Sequence, residues 1–295
     1  MVTKKHLKKY RVNIQKISQV KYTNMDLVVF GDSWTHGDEL QSYDTQYRTK
    51  HNIGGLIYKD YSFDNYHNYS CNGGSQQHII LSLINYLNSD NYHKDNLILI
   101  GLTSPMRKFR FNNILNRVTN WTSWDYEESM LWTDDILRQS KEFKDWWKGE
   151  VISHVNFRND LLDYFNSCIT IKQLIKDHSK YIVWQSIEGD WYDNIEKDMD
   201  GCVIHYENQN TTQEYNSVGV DESVFNKSYV ESLLNKDCTP QQIWINLSEL
   251  SWHHWLKKEE PRGLVESKMH PSEQGIKMWY NDILKKYIEK SLDLS

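Results

Sequence analysis

Along this chain, short apolar runs alternate with longer amphipathic stretches. Leu27-Val28-Val29-Phe30 is wholly apolar, β-branched at its centre and closed by Gly31. Such a run predicts a strand buried on both faces of a parallel sheet. Further strands are predicted near residues 66–71, at Leu97-Ile98-Leu99-Ile100, at Tyr181-Ile182-Val183-Trp184 and at about 242–246. Between them, apolar residues recur at helical spacing. Ser75 is positioned to cap a helix carrying Ile79, Ile80, Leu81, Leu83, Ile84 and Leu87. A second helix spans about 159–177, with Leu161, Leu162, Phe165, Ile169, Leu174 and Ile175. A third spans about 272–290, with Ile276, Trp279, Ile283, Leu284, Tyr287 and Ile288. Pro271 precedes it, where a missing N–H costs little. Strands alternating with helices predict a three-layer αβα fold around a parallel sheet.

Two stretches break the alternation, at about 107–154 and 188–240, and read as insertions into a domain spanning 25–295. The first carries Trp121, Trp124, Trp132, Trp146 and Trp147. Flat aromatic faces of this kind can stack on sugar rings, although burial within a small cap core is the favoured reading. Residues 1–24 form a basic extension with Lys4, Lys5, Lys8, Lys9 and Arg11, whose plain role is a solvated tail.

Composition narrows the classes. The 295 residues are 39% hydrophobic and 25% charged, rich in Trp and Tyr and poor in Gly and Pro, which suits a folded globular chain. The net charge of −6 argues against a nucleic-acid partner. No run approaches the roughly 18–20 apolar residues that cross a bilayer, so no membrane association is expected. The basic start lacks the apolar core of a secretory signal, which predicts cytoplasmic synthesis and leaves the final location open. Cys71, Cys168, Cys202 and Cys238 form no C-x-x-C pair and read as reduced thiols. Trp252-His253-His254-Trp255 has no second ligand pair at metal-binding spacing, and no phosphate loop of the G-x-x-x-x-G-K type occurs. No metal or cofactor is called for.

The chemistry concentrates in two motifs. Gly31-Asp32-Ser33-Trp34-Thr35-His36-Gly37 follows the first strand. Open α/β sheets bind ligands beyond the carboxyl ends of their strands, so Ser33 is placed to meet one. Met269-His270-Pro271-Ser272 opens the last helix. A hydroxyl at neutral pH needs a base to become a nucleophile, and a histidine at a rigid helix start suits that task.

Together these motifs resemble the SGNH (GDSL-type) esterase family, which opens with G-D-S and closes with D-x-x-H-P. The resemblance implies a flavodoxin-like SGNH hydrolase fold, with Ser33 as nucleophile and His270 as base. Asn68-Tyr69-Ser70-Cys71-Asn72-Gly73-Gly74-Ser75 is similar to the family's second block. That block implies an oxyanion hole built from the Ser33 and Gly73 N–H groups, with Gly74 the near alternative. In Gly101-Leu102-Thr103-Ser104 the family's asparagine donor is replaced by Thr103, whose hydroxyl can donate in its stead; Ser104 is the other option. Ser267 stands where the family's orienting aspartate is expected. Glu266, one residue earlier, is the candidate third member; without it a Ser–His dyad remains. G-D-S-W-T, G-G-S and T-S-P also resemble SGNH-like proteins of large bacteriophages.

The resulting expectation is a serine ester hydrolase acting by acyl transfer on a small-molecule or glycan ester, with O-acylated carbohydrate favoured by the tryptophans. The rival expectation is a non-catalytic SGNH-like protein that binds a glycan or a partner, since two of four blocks are altered.

Overall fold

A computed structural model of the chain describes residues 24–38, 40, 44–105, 107–112, 117–122, 141, 145, 157–187, 227–245, 251–259 and 270–294. Its strands are β1 (Leu27–Phe30), β2 (Tyr66–Asn68), β3 (Leu97–Leu102), β4 (Arg107–Asn112), β5 (Arg117–Thr122), β6 (Lys180–Gln185) and β7 (Gln242–Trp244). Five of them form one all-parallel sheet in the order β2-β1-β3-β6-β7. The chain therefore adds a strand on one side of β1, crosses back to β3, and proceeds outward through β6 and β7. This doubly wound order creates a switch point between β1 and β3, where the flanking connections diverge and leave a crevice.

Register sorts the strand residues onto two faces. Leu27 pairs with Leu97, and Leu99 with Ile182. These side chains share one core with Val29, Trp184 and Ile243. Val28, Phe30, Ile98, Ile100, Tyr181 and Val183 point the other way, into a second core. Both faces are dry, which is why these strands read as continuous apolar runs.

The first face is covered by α3 (Ile53–Tyr61) through Ile53 and Ile57, by α7 (Trp252–Glu259) through Trp252 and Leu256, and by the C-terminal helices. The second is covered by α4 (Gln76–Leu87) through Ile79, Leu83 and Tyr86, by α5 (Phe157–Ile175) through Tyr164, Phe165, Cys168, Ile171 and Ile175, and by α6 (Lys227–Asn235) through Val230 and Leu234. The architecture is the expected αβα sandwich. Ser75 caps α4, accepting a hydrogen bond from the His78 N–H at 3.3 Å.

The helical stripes differ in detail from the sequence expectation. Leu81 and Ile169 were expected to point inward but are 47% and 37% exposed, lying at the edges of their stripes. The side chains of Leu161 and Leu162 lie outside the described residues. The C-terminal segment comprises α8 (Glu273–Trp279), a π turn (Tyr280–Leu284) and α9 (Lys285–Ser291). A π turn takes an extra residue per turn. Tyr280, four residues after Ile276, joins Ile276, Trp279, Ile283, Leu284 and Ile288 in the core.

The start of the first predicted insertion is an antiparallel hairpin, with β4 paired to β5. Lys108-Phe109-Arg110-Phe111 has the period of two that a strand requires, partly hidden by its charge. The tryptophans at 124, 132, 146 and 147, most of 188–240, residues 1–23 and Glu266 lie outside the described residues.

Candidate active site

β1 delivers the serine. Beyond Phe30 the chain turns at Asp32, which caps the four-residue helix α1 (Ser33–His36). The Asp32 Oδ1 accepts hydrogen bonds from the N–H groups of Trp34 at 3.1 Å and Thr35 at 3.3 Å. The first N–H groups of a helix have no intrahelical acceptor, so this carboxylate supplies one. Gly37 closes α1 in the left-handed region at φ 81°. The N–H groups of Gly37 and Asp38 both donate to the Ser33 carbonyl at 3.0 Å. Ser33 is thus held from both sides at the carboxyl end of β1, beside the β1/β3 switch point.

Two glycines make room for this turn. A β-carbon on Gly31 would lie 2.4 Å from the Thr35 Oγ1, and one on Gly101 would lie 2.2 Å from the same atom. Thr35 packs over both strand ends, with its hydroxyl 3.3 Å from that of Ser186. Gly101→Ala is therefore expected to destabilise the protein by about 1–3 kcal/mol through overpacking. It should also displace α1; denaturant titration checks the first effect and loss of activity the second.

The end of β3 is fixed as firmly. The Thr103 carbonyl accepts hydrogen bonds from Gln76 Nε2 at 3.0 Å and Gln185 Nε2 at 2.9 Å. The Thr103 side chain is fully buried beside Asp32, where its hydroxyl helps to hold the carboxylate charge without completing a well-formed hydrogen bond.

Arg107 opens β4, and nothing in the sequence reading pointed to it. Its two terminal nitrogens each stand 3.5 Å from the Ser33 Oγ. One of them is 3.8 Å from the Asp32 Oδ2. Burial pushes the Asp32 carboxyl up to about 6, against the opposing pull of Arg107. A carboxyl whose folded pKa is raised binds more protons in the native state than in the unfolded chain. Stability then falls as pH rises from about 4 to about 6. Asp32→Asn should flatten that part of the stability–pH curve, as measured by denaturant unfolding at several pH values.

Asp38 forms the other wall. Its Oδ1 lies 3.3 Å from Arg48 and 3.8 Å from His36 Nε2. Burial raises its pKa, and His36, His270, Arg48 and Arg107 oppose the rise in that order. Asp38 thus senses both His270 and Arg107, and its own N–H is bonded to the Ser33 carbonyl. Asp38 is thus tied to the serine turn by a hydrogen bond and to His270 by charge. His270 precedes α8, whose Ser272 cap accepts from the Gly275 N–H at 3.1 Å. Glu273, the first residue of α8, bonds Tyr47 OH and His51 Nδ1, anchoring the start of α8 to α2 (Thr45–His51).

The second block reaches the same rim. Past β2 the chain keeps alongside β1, with Tyr69 N–H bonded to the Val29 carbonyl and Cys71 N–H to that of Gly31. Gly73 follows in the left-handed region at φ 66°. The Gly74 N–H is used in the turn, donating to the Cys71 carbonyl at 3.2 Å. Of the two glycine N–H groups, that of Gly74 is thus occupied within the turn. Ser104 is fully buried.

Arg107 left a faint trace in the sequence, a cation shortly after the Ser104-Pro105 strand exit. Asp38 was visible beside the serine motif, but only the fold shows that its charge is felt by His270. His253 packs edge-on against Trp34 with ring centroids 5.6 Å apart. Among the described residues, no three His, Cys, Asp or Glu side chains are grouped to hold a metal ion. No described helix is long and apolar enough to cross a membrane.

No family model and no curated protein matches the chain. Solved structures do. A member of the lipolytic protein G-D-S-L family from Veillonella parvula is 14% identical at a TM-score of 0.44, covering 88% of this chain and 97% of that one. TesA is 11% identical at a TM-score of 0.44, with the same coverage, 88% and 97%. Phospholipase A1 from Streptomyces albidoflavus is 13% identical at a TM-score of 0.42, with 89% and 99% covered. The likeness is distant, and the three-layer architecture follows from the chain's own strand order and burial.

Proposed function

We propose that the protein is a serine ester hydrolase in which Ser33 is the nucleophile and His270 its base. The observation that carries this reading is Ser33 itself, held in a tight turn at the β1/β3 switch point with a guanidinium at its hydroxyl. The electrostatic influence of His270 on Asp38, which is bonded to the serine turn, supports a role for His270 at the same rim. In the acylation step His270 accepts the Ser33 proton while Oγ bonds to the ester carbonyl carbon. The carbonyl π pair moves onto oxygen, returns, and expels the alcohol, which leaves with the proton from His270. Water then repeats the sequence, with the acid departing and Ser33 restored. The Ser33 and Gly73 N–H groups are the backbone donors proposed for the oxyanion.

Thr103 suits a donor role less well, because its hydroxyl lies beside Asp32. Glu266 remains a candidate to orient His270. Asp38, whose charge is felt by His270, is a second carboxylate candidate for that role. Glu266→Gln should then lower kcat by less than about tenfold, whereas an orienting acid of a serine triad is worth about 10⁴. A carbohydrate ester as substrate rests on the insertion tryptophans, and comparison of acetylated sugars with short-chain aryl esters tests it.

A further inference from the structure

Beyond the backbone donors, the site holds a side chain that the sequence motifs did not assign. We infer that Arg107 is a catalytic residue of the proposed hydrolase, donating from its guanidinium fork to the oxyanion that forms when Ser33 attacks. This rests on the serine-hydrolase reading of the site.

The two terminal nitrogens are equidistant from the Ser33 Oγ at 3.5 Å, so the nucleophile lies on the bisector of the fork. That separation exceeds the usual 2.7–3.2 Å of an N–H···O hydrogen bond. The Asp32 contact, at 3.8 Å, is also longer than a charge-assisted pair of about 2.7–2.9 Å. The guanidinium is therefore aimed at the nucleophile yet strongly bound to neither neighbour. In the tetrahedral intermediate a new oxygen is one carbon removed from Oγ, and its negative charge can draw close to the waiting fork. The interaction is then stronger in the transition state than in the resting enzyme, which is the condition for lowering the barrier.

The surroundings keep the arginine in place without using it up. Its side chain is 15% exposed, so the fork sits under little competing water while remaining open to a substrate. The Asp32 Oδ2 facing it has no hydrogen-bond partner among the described residues and provides a negative anchor behind it. Thr103, at the position of the expected side-chain donor, lies against that same carboxylate. Arg107 would thus supply from β4 what the end of β3 does not.

The test compares wild type, Arg107→Ala and Arg107→Lys on a neutral aryl acetate and on a hemisuccinate aryl ester. Unfolding curves establish that each variant is folded. Arg107→Ala is expected to lower kcat on both esters by about 10²–10³, with KM changed by less than about threefold. Arg107→Lys, which keeps the charge but loses the fork, should recover part of kcat. Added guanidinium should partly rescue Arg107→Ala. An unchanged kcat in a folded Arg107→Ala overturns the inference while leaving the serine reading intact. So does a loss confined to KM on the anionic ester, which would make Arg107 a clamp for a substrate carboxylate. Wild type that turns over neither ester and takes no fluorophosphonate at Ser33 overturns the inference together with the reading beneath it.

Discussion

Ser33→Ala is expected to lower kcat/KM for an activated short-chain ester by about 10⁴-fold or more, while the protein stays folded. The size of the effect follows from covalent chemistry. Without Oγ no acyl-enzyme forms, and what survives is the weak acceleration that donors and binding give to direct attack by water. The structural cost should be small. Among the described residues the Ser33 Oγ makes only long contacts to Arg107, and the backbone of the turn is held by Asp32, Gly37 and Asp38 rather than by the serine side chain. Activity and unfolding measured on one preparation separate the two effects. A stable variant with full activity would remove Ser33 from the chemistry.

The largest expected stability effect lies in the aromatic core beneath the site. Trp279 of α8 is fully buried, stacks on Trp252 at 4.7 Å with rings 12° apart, and leans on Trp184 at 5.8 Å. Trp252 in turn meets Trp34 of α1 edge-on at 5.7 Å. This chain of rings joins the helix that follows His270, the sheet and the serine turn into one packed unit. Trp279→Ala should cost about 3–5 kcal/mol, the range for emptying a large aromatic site. The Trp279 indole N–H has no acceptor among the described residues. Trp279→Phe, which keeps a ring in the stack and drops that donor, should therefore be much milder, within about 1–2 kcal/mol of wild type. Urea unfolding of the two variants checks the contrast. Equal losses would mean that stacking is not what holds the unit together.

The sheet was legible in the sequence because its strands are buried on both faces. Leu27-Val28-Val29-Phe30 and Leu97-Ile98-Leu99-Ile100 admit no polar residue, whichever way a side chain points. The cap at Ser75 was legible for an equally local reason, since a hydroxyl before an apolar stripe satisfies the helix's first N–H groups. Stripe edges were less so. Ile169 has the right spacing from Phe165 but faces out, while Cys168 and Ile171, flanking it, face in. The β4–β5 hairpin was missed because charged side chains occupy half of β4. Arg107 and Asp38 were missed as site residues because charge carries no periodicity. Their importance arises from where β4 starts and where α1 ends, which only the folded chain displays. Ser33 stood out because its motif and its strand coincide. The role of Glu266 depends on residues that lie outside the described structure.

Whether Ser33 is an activated nucleophile served by His270 is tested most directly by reacting the folded protein with a fluorophosphonate and mapping the adduct by mass spectrometry. A single adduct on Ser33 that fails to form in His270→Ala is the predicted result. A folded, unlabelled wild type, or label elsewhere while Ser33 stays free, would contradict the account.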